Sequence, residues 1–171
     1  MYMTSLPIFL TCVANSIDEP DFPLLLTWST PEAQIKEVLV IPDDNWLESA
    51  QIESNHLAID EGQLYEFGYE ASDILAEWNN ELDTDQVLAL DVESVSKMVE
   101  RIYDVKGLYP NFEIVSVWQW FAEQDIDLAH EIGLRHNEYA IDTLPPDELI
   151  AALLTIAYDH GLIDMPESLT E

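Results

Sequence analysis

The chain has 171 residues and carries 35 Asp and Glu against 5 Lys and Arg, a formal net charge of -30. Such a surface repels DNA and anionic membranes, so direct binding to either is excluded as a main activity. A hydrophobic content of 48% with five tryptophans can supply a real core, which excludes a disordered chain, and the length suits one domain over residues 1–171.

Residues 7–13 form a short apolar run that predicts a central strand. The apolar start lacks the basic residues of a signal peptide, so the expectation is a cytoplasmic protein. No apolar stretch is long enough to span a membrane. Cys12 is the single cysteine, which rules out an internal disulfide and a cysteine-rich zinc site; its apolar neighbours predict a buried, inert thiol. Residues 15–23 hold two prolines and three acids and predict a loop. Residues 24–30 and 35–41 predict strands separated by a turn at Thr30-Pro31-Glu32-Ala33. Together these make an antiparallel meander, ended by Pro42-Asp43-Asp44-Asn45.

Helices follow. Residues 69–82 place Ile74, Leu75, Trp78 and Leu82 on one face, with Ser72 as the expected cap. Residues 87–90 predict a short buried strand. Residues 93–106 predict a helix with Val95, Met98, Val99, Ile102 and Tyr103 as its apolar stripe and Gly107 as its stop. Residues 112–115 predict another strand. One helix is expected over 117–132 and another over 147–160, introduced by Pro145-Pro146 and stopped by Gly161. The order is that of a mixed α/β domain, with no internal repeat and no low-complexity segment.

Few residues group into a recognisable catalytic pattern. The five glycines are not clustered, so no phosphate-cradling loop exists. No Ser-His-Asp or Cys-His arrangement can be read. His56, His130, His136 and His160 lack paired metal-ligand spacing and read as surface or locally bonded histidines. Asp43-Asp44 and Asp125/Asp127 lack the pattern of a calcium loop and read as solvated acids. No cofactor and no metal is predicted.

The order of elements nevertheless resembles a known family. Ile8-Phe9-Leu10-Thr11-Cys12-Val13-Ala14-Asn15-Ser16, then residues 23–28, 38–42 and Trp46, resemble the start of the DEDDh exonucleases of the ribonuclease H-like superfamily. His56-Leu57-Ala58-Ile59 and Leu64 look like that family's His-Gly-Ile segment leading into a helix. Leu88-Ala89-Leu90-Asp91, with the helix through Val99-Glu100-Arg101-Ile102-Tyr103, looks like its middle motif. Asp142-Thr143-Leu144-Pro145-Pro146-Asp147 matches the spacing of its closing His-x-x-x-x-Asp motif. The resemblance covers most of the chain and implies a ribonuclease H-like α/β fold. Its sheet would be a mixed one of five strands, an antiparallel meander plus parallel strands, flanked by helices.

The departures from the family matter more than the matches. In the family, four carboxylates hold two divalent ions that clamp the attacking and leaving oxygens of a phosphodiester, and a histidine takes the water's proton. Here Thr11 and Val13 stand where the first Asp and Glu belong, and Asp142 stands where the histidine belongs. Only Asp91 and Asp147 keep their places. A threonine is a poor ligand and a valine none, so the resemblance implies a degenerate site without catalysis. The basic side chains available to a phosphodiester are few: Lys36, Lys97, Arg101, Lys106 and Arg135. Lys97, Arg101 and Lys106 share one predicted helix.

The acids are spread along the whole chain. Residues 1–85 hold eighteen acids and one base, and residues 86–171 hold seventeen acids and four bases. A compact chain of this length is roughly 40 Å across, while the same charge occupies roughly 50 Å of duplex DNA. The surface is thus expected to act as a DNA mimic, an acidic decoy for a basic nucleic-acid-binding protein such as a nuclease, repressor or histone-like protein. The run from residue 60 to 85 is densest and holds no base: Asp60, Glu61, Glu66, Glu70, Asp73, Glu77, Glu81, Asp83 and Asp85 are the candidate partner surface. Asp73, Glu77 and Glu81 recur at i,i+4 as one negative row. Asp18, Glu19, Asp21, Asp43, Asp44, Glu48 and Glu53 are further candidates. The alternatives are a halophilic or acidic 3'-5' exonuclease with residual metal-dependent activity, and a non-catalytic interaction subunit. A homodimer is compatible with each.

Overall fold

The computed structural model describes residues 7–16, 20–30, 32–49, 52, 59–82, 85–136 and 145–163. In chain order these form β1 (Ile8–Ala14), β2 (Pro23–Ser29), β3 (Ile35–Leu39), α1 (Asp44–Ser49), α2 (Glu61–Phe67) and α3 (Ala71–Glu81). After them come β4 (Gln86–Ala89), α4 (Val92–Asp104), β5 (Glu113–Ser116), α5 (Val117–Ala122), α6 (Leu128–His136) and α7 (Pro146–Asp159). The strands make one five-stranded sheet of order β3-β2-β1-β4-β5. β2 is antiparallel to β1 and to β3, whereas β4 is parallel to β1 and β5 is parallel to β4. The expected meander is present and continues into two parallel strands.

β1 and β2 are almost wholly apolar because helices cover both faces of the sheet there. Strand alternation sends Ile8 and Leu10 to one face and Phe9 to the other. On the first face Ile8, Leu10, Leu24, Leu26 and Trp28 pack with Ile74, Leu75 and Trp78 of α3 and Val95, Val99 and Ile102 of α4. Trp78 is the hub, with Trp28 edge-on at 5.7 Å and Phe112 edge-on at 6.4 Å. On the second face Phe9 and Leu88 pack with Val117, Phe121, Leu128, Ile132 and the apolar side of α7. The α4 stripe read from sequence is fully buried, and Gly107 ends that helix with a φ of 67°. Gly161 ends α7 with a φ of 73°. Only glycine adopts this left-handed backbone without steric cost.

Four details differ from the sequence reading. The helix expected over 117–132 is two helices. In one continuous helix Ile126 would point about 180° away from Val117. Instead the chain turns through Asp125, at φ 60°, and Ile126 N–H donates to the Phe121 carbonyl. Asp127 then accepts from the His130 N–H to start α6, and Ile126 is buried in the second core.

Ser72 does not cap α3. The helix starts after Glu70, whose side chain makes no cap bond, because Tyr69 is held in the sheet edge. There Tyr69 N–H donates to the Leu39 carbonyl and the Tyr69 carbonyl accepts from Ile41 N–H. The acids that end the meander also start an unforeseen helix. Asp43 accepts from the Asn45 and Trp46 N–H groups, which lays Trp46 of α1 on Phe22 at 5.5 Å. Finally, Lys106 lies beyond the end of α4, so only Lys97 and Arg101 share that helix. Among the described residues no helix is long and apolar enough to cross a membrane.

Candidate functional site

Thr11 sits mid-strand in β1, opposite Thr27 of β2, which in turn faces Glu37 of β3. The fully buried Thr27 hydroxyl donates to Glu37 Oε2 at 3.0 Å. These three positions make a polar row across the sheet on the face that carries Phe9, and α7 packs over β1, β2 and β3. Val13 is buried opposite Leu25. Neither Thr11 nor Val13 can bring a negative charge to a metal.

Asp91 follows β4 and is committed to α4. Its Oδ1 accepts from Ser94 N–H at 3.0 Å, which satisfies one of the free donors at the helix start. Its charge also suits the positive end of the helix dipole. Asp147 lies exposed in the first turn of α7. Asp142 lies outside the described residues. Among the described residues no three His, Cys, Asp or Glu side chains gather as a metal site would require. Burial, and then the charge of Asp91, push the Cys12 thiol up to about 12. At neutral pH Cys12 is a poor nucleophile, since the thiolate is the reactive form.

Lys36, Lys97 and Arg101 each bond to groups of the protein itself. Lys36 Nζ meets Glu77 Oε1 at 2.6 Å, joining β3 to α3. The negative row expected at Asp73, Glu77 and Glu81 is therefore interrupted: a base from the neighbouring strand reaches its middle member, which the local sequence does not reveal. Arg101 donates to Asp21 Oδ2 at 2.6 Å and to the Asp21 carbonyl at 3.1 Å. Lys97 donates to the Pro20 carbonyl at 2.6 Å, with Asp21 Oδ1 at 3.9 Å. Asp21 is thus an internal anchor rather than a free partner contact. His160 at the end of α7 bonds to Glu131 of α6, as a locally bonded histidine.

A pocket of about 380 Å³ lies along α4, lined by Lys97, Glu100, Arg101, Asp104, Leu108 and Tyr109 among others. Two bases and two acids face it, so it favours neither sign of charge.

On the opposite account stand the acids. Asp60 caps α2 in a reciprocal box with Gln63, accepting from Gln63 N–H at 2.9 Å while Gln63 Oε1 accepts from Asp60 N–H at 3.0 Å. Asp60, Glu61, Glu66, Glu70, Asp73 and Asp85 are all exposed. Asp83 lies outside the described residues, as does the side chain of Glu81, which closes α3. Sequence reasoning passed over the aromatic residues among these acids. Tyr65, Phe67 and Tyr69 are 51%, 62% and 53% exposed. The visible signal was their spacing, Tyr65-Glu66-Phe67-Gly68-Tyr69-Glu70, in which rings and acids interleave.

No protein-family model matches the chain, and none of the curated proteins is significantly similar to it.

Proposed function

We propose that this chain is a catalytically inactive, exonuclease-like protein of ribonuclease H-like fold that imitates the charge of DNA. In this reading it binds a basic nucleic-acid-binding protein, such as a nuclease, repressor or histone-like protein, and inhibits or regulates it. A meander joined to two parallel strands, with helices on both faces, supports the fold. Thr11 and Val13 on β1, and Asp91 acting as a helix cap, support the loss of catalysis.

The observation that carries the binding role is the disposition of charge. Lys36, Lys97 and Arg101 are tied to groups of the protein itself, while Asp60, Glu61, Glu66, Glu70, Asp73 and Asp85 remain in solvent. A cationic partner therefore meets an almost unrelieved negative field, which speeds encounter and weakens with salt.

Two assays test the reading. Incubation with single- and double-stranded DNA and magnesium or manganese should give no cleavage. Metal-dependent cleavage abolished by Asp91→Asn would overturn the proposal; asparagine caps a helix as well as aspartate does, so such a loss would report a ligand. In the second assay the chain competes with duplex DNA for basic DNA-binding proteins of its own host. Displacement at low salt, reduced in a Glu61→Gln/Glu66→Gln/Glu70→Gln/Asp73→Asn variant, is the expected result. Equal displacement by the variant, or by any unrelated polyanion, counts against a specific decoy.

A further inference from the structure

We infer that Tyr65, Phe67 and Tyr69 form a binding hot spot for arginine side chains of a protein partner. This inference rests on the proposed acidic binding surface and specifies which cation that surface takes.

Charge imitation accounts for the carboxylates but not for the rings. Three large aromatic side chains within five residues are more than half exposed, and exposed aromatic side chains are enriched where proteins bind one another. They are also held in place. Leu64 is fully buried, Gly68 N–H donates to the Leu64 carbonyl at 2.9 Å, and Tyr69 is hydrogen-bonded on both sides to the edge of the sheet. A Cβ at position 68 would lie 2.3 Å from the Leu64 carbonyl oxygen, so the close turn requires glycine. Rings on so fixed a backbone lose little freedom on binding.

Charge names the occupant. Glu61, Glu66 and Glu70 flank the rings and are exposed. Besides burial, the charges of Glu61 and Asp44 raise the pKa of the Tyr65 hydroxyl. A second copy of this chain would bring the same surplus of acid and is repelled. Among cations, the guanidinium group is planar and weakly hydrated, stacks on ring faces, and forks onto carboxylates. The lysine ammonium is a strongly hydrated point charge that gains less from rings. Interleaved rings and carboxylates therefore suit arginine.

The test is titration calorimetry of the full chain with oligo-arginine and oligo-lysine peptides of equal length at low salt. The arginine peptide is expected to bind about tenfold more tightly, the sum of modest ring contacts. In a Tyr65→Ser/Phe67→Ser/Tyr69→Ser variant the two peptides should bind alike, both still held by the acids. Phe67→Ser alone, the most exposed ring and outside the sheet-edge bonding, should narrow the gap without threatening the fold. Equal affinities for the unmodified chain, or an arginine preference that survives both variants, overturn the inference while leaving the acidic surface intact. Failure of both peptides to bind overturns the inference and the acidic-surface reading together.

Discussion

Arg101 and Asp21 are 80 residues apart in sequence and meet at 2.6 Å. The pair fastens α4 to the loop between β1 and β2. Asn15 holds the same loop from the other side, accepting from the Asp21 and Phe22 N–H groups at 2.8 and 3.1 Å. In a protein with a net charge of -30, this contact uses a rare cation for internal order. It also removes that cation from the surface a basic partner would meet.

The two partners should not be equivalent on mutation. Arg101→Ala removes two hydrogen bonds to Asp21 and leaves its half-buried carboxylate to Lys97, at 3.9 Å, in a negative field, at a cost of about 2 kcal/mol. Asp21→Asn keeps an acceptor for the guanidinium and lowers the overall repulsion, so it should cost less than about 1 kcal/mol. Urea unfolding of the two variants checks the order.

Gly68 and Gly107 make a second contrast. Gly107 has a positive φ with nothing within 4 Å of an added Cβ. Gly107→Ala should cost only the left-handed backbone strain, about 1–2 kcal/mol. Gly68 has an ordinary φ of -82° but no room. Gly68→Ala must displace the turn after α2, and overpacking of this kind costs about 1–3 kcal/mol. The distinguishing readout is local: Gly68→Ala should accelerate amide exchange at Tyr69 and Ile41, and Gly107→Ala should not.

Alkaline pH should weaken the fold. Burial and Asp91 raise the Cys12 thiol from 9.0 to about 12. The unfolded chain therefore loses this proton at lower pH than the folded one. The resulting stability is whole below pH 9.0 and is lost as pH rises toward about 12. The slope for one such group approaches about 1.4 kcal/mol per pH unit. Tyr103, whose hydroxyl is raised by burial, acts with the same sign at higher pH. Cys12→Ala should flatten the slope just above pH 9.0 in urea unfolding. At neutral pH the native thiol should react with disulfide reagents far more slowly than free cysteine.

Salt should stabilise the chain. Raising ionic strength from about 0.1 M to about 1 M shortens the screening length from about 10 Å to about 3 Å, which suppresses repulsion among the exposed acids. A gain of about 2 kcal/mol would raise Tm by roughly 4–8 °C. Thermal unfolding across that range also separates two explanations of the charge. A chain that folds well in dilute buffer is not adapted to brine, whereas one that folds only in molar salt is.

Much of the framework was legible because it depends on local pattern. The apolar runs of β1 and β2, the stripe from Val95 to Tyr103, and the stops at Gly107 and Gly161 each follow from periodicity or from backbone geometry. The break at Asp125 was not legible, since the apolar residues on either side fit one helix if Ile126 is ignored. Only the demand of the second core for Ile126 interrupts it. Helix α1 was hidden because its capping acid, Asp43, reads equally well as a turn residue.

The sequence by itself determined the net charge, its spread over folded elements, and the absence of carboxylates at Thr11 and Val13. Those are properties of residue identity and do not depend on where the chain goes. Only the tertiary structure decided which charges face outward. Lys36 meets Glu77 across 41 positions and Arg101 meets Asp21 across 80. The sheet that turns back on itself brings them together, so no local pattern could announce the pairs. The same sheet edge holds Tyr69 beside Leu39 and Ile41. It fixes the backbone from which Tyr65, Phe67 and Tyr69 project into solvent among the acids, because the buried Leu64 and the close turn at Gly68 allow no other course.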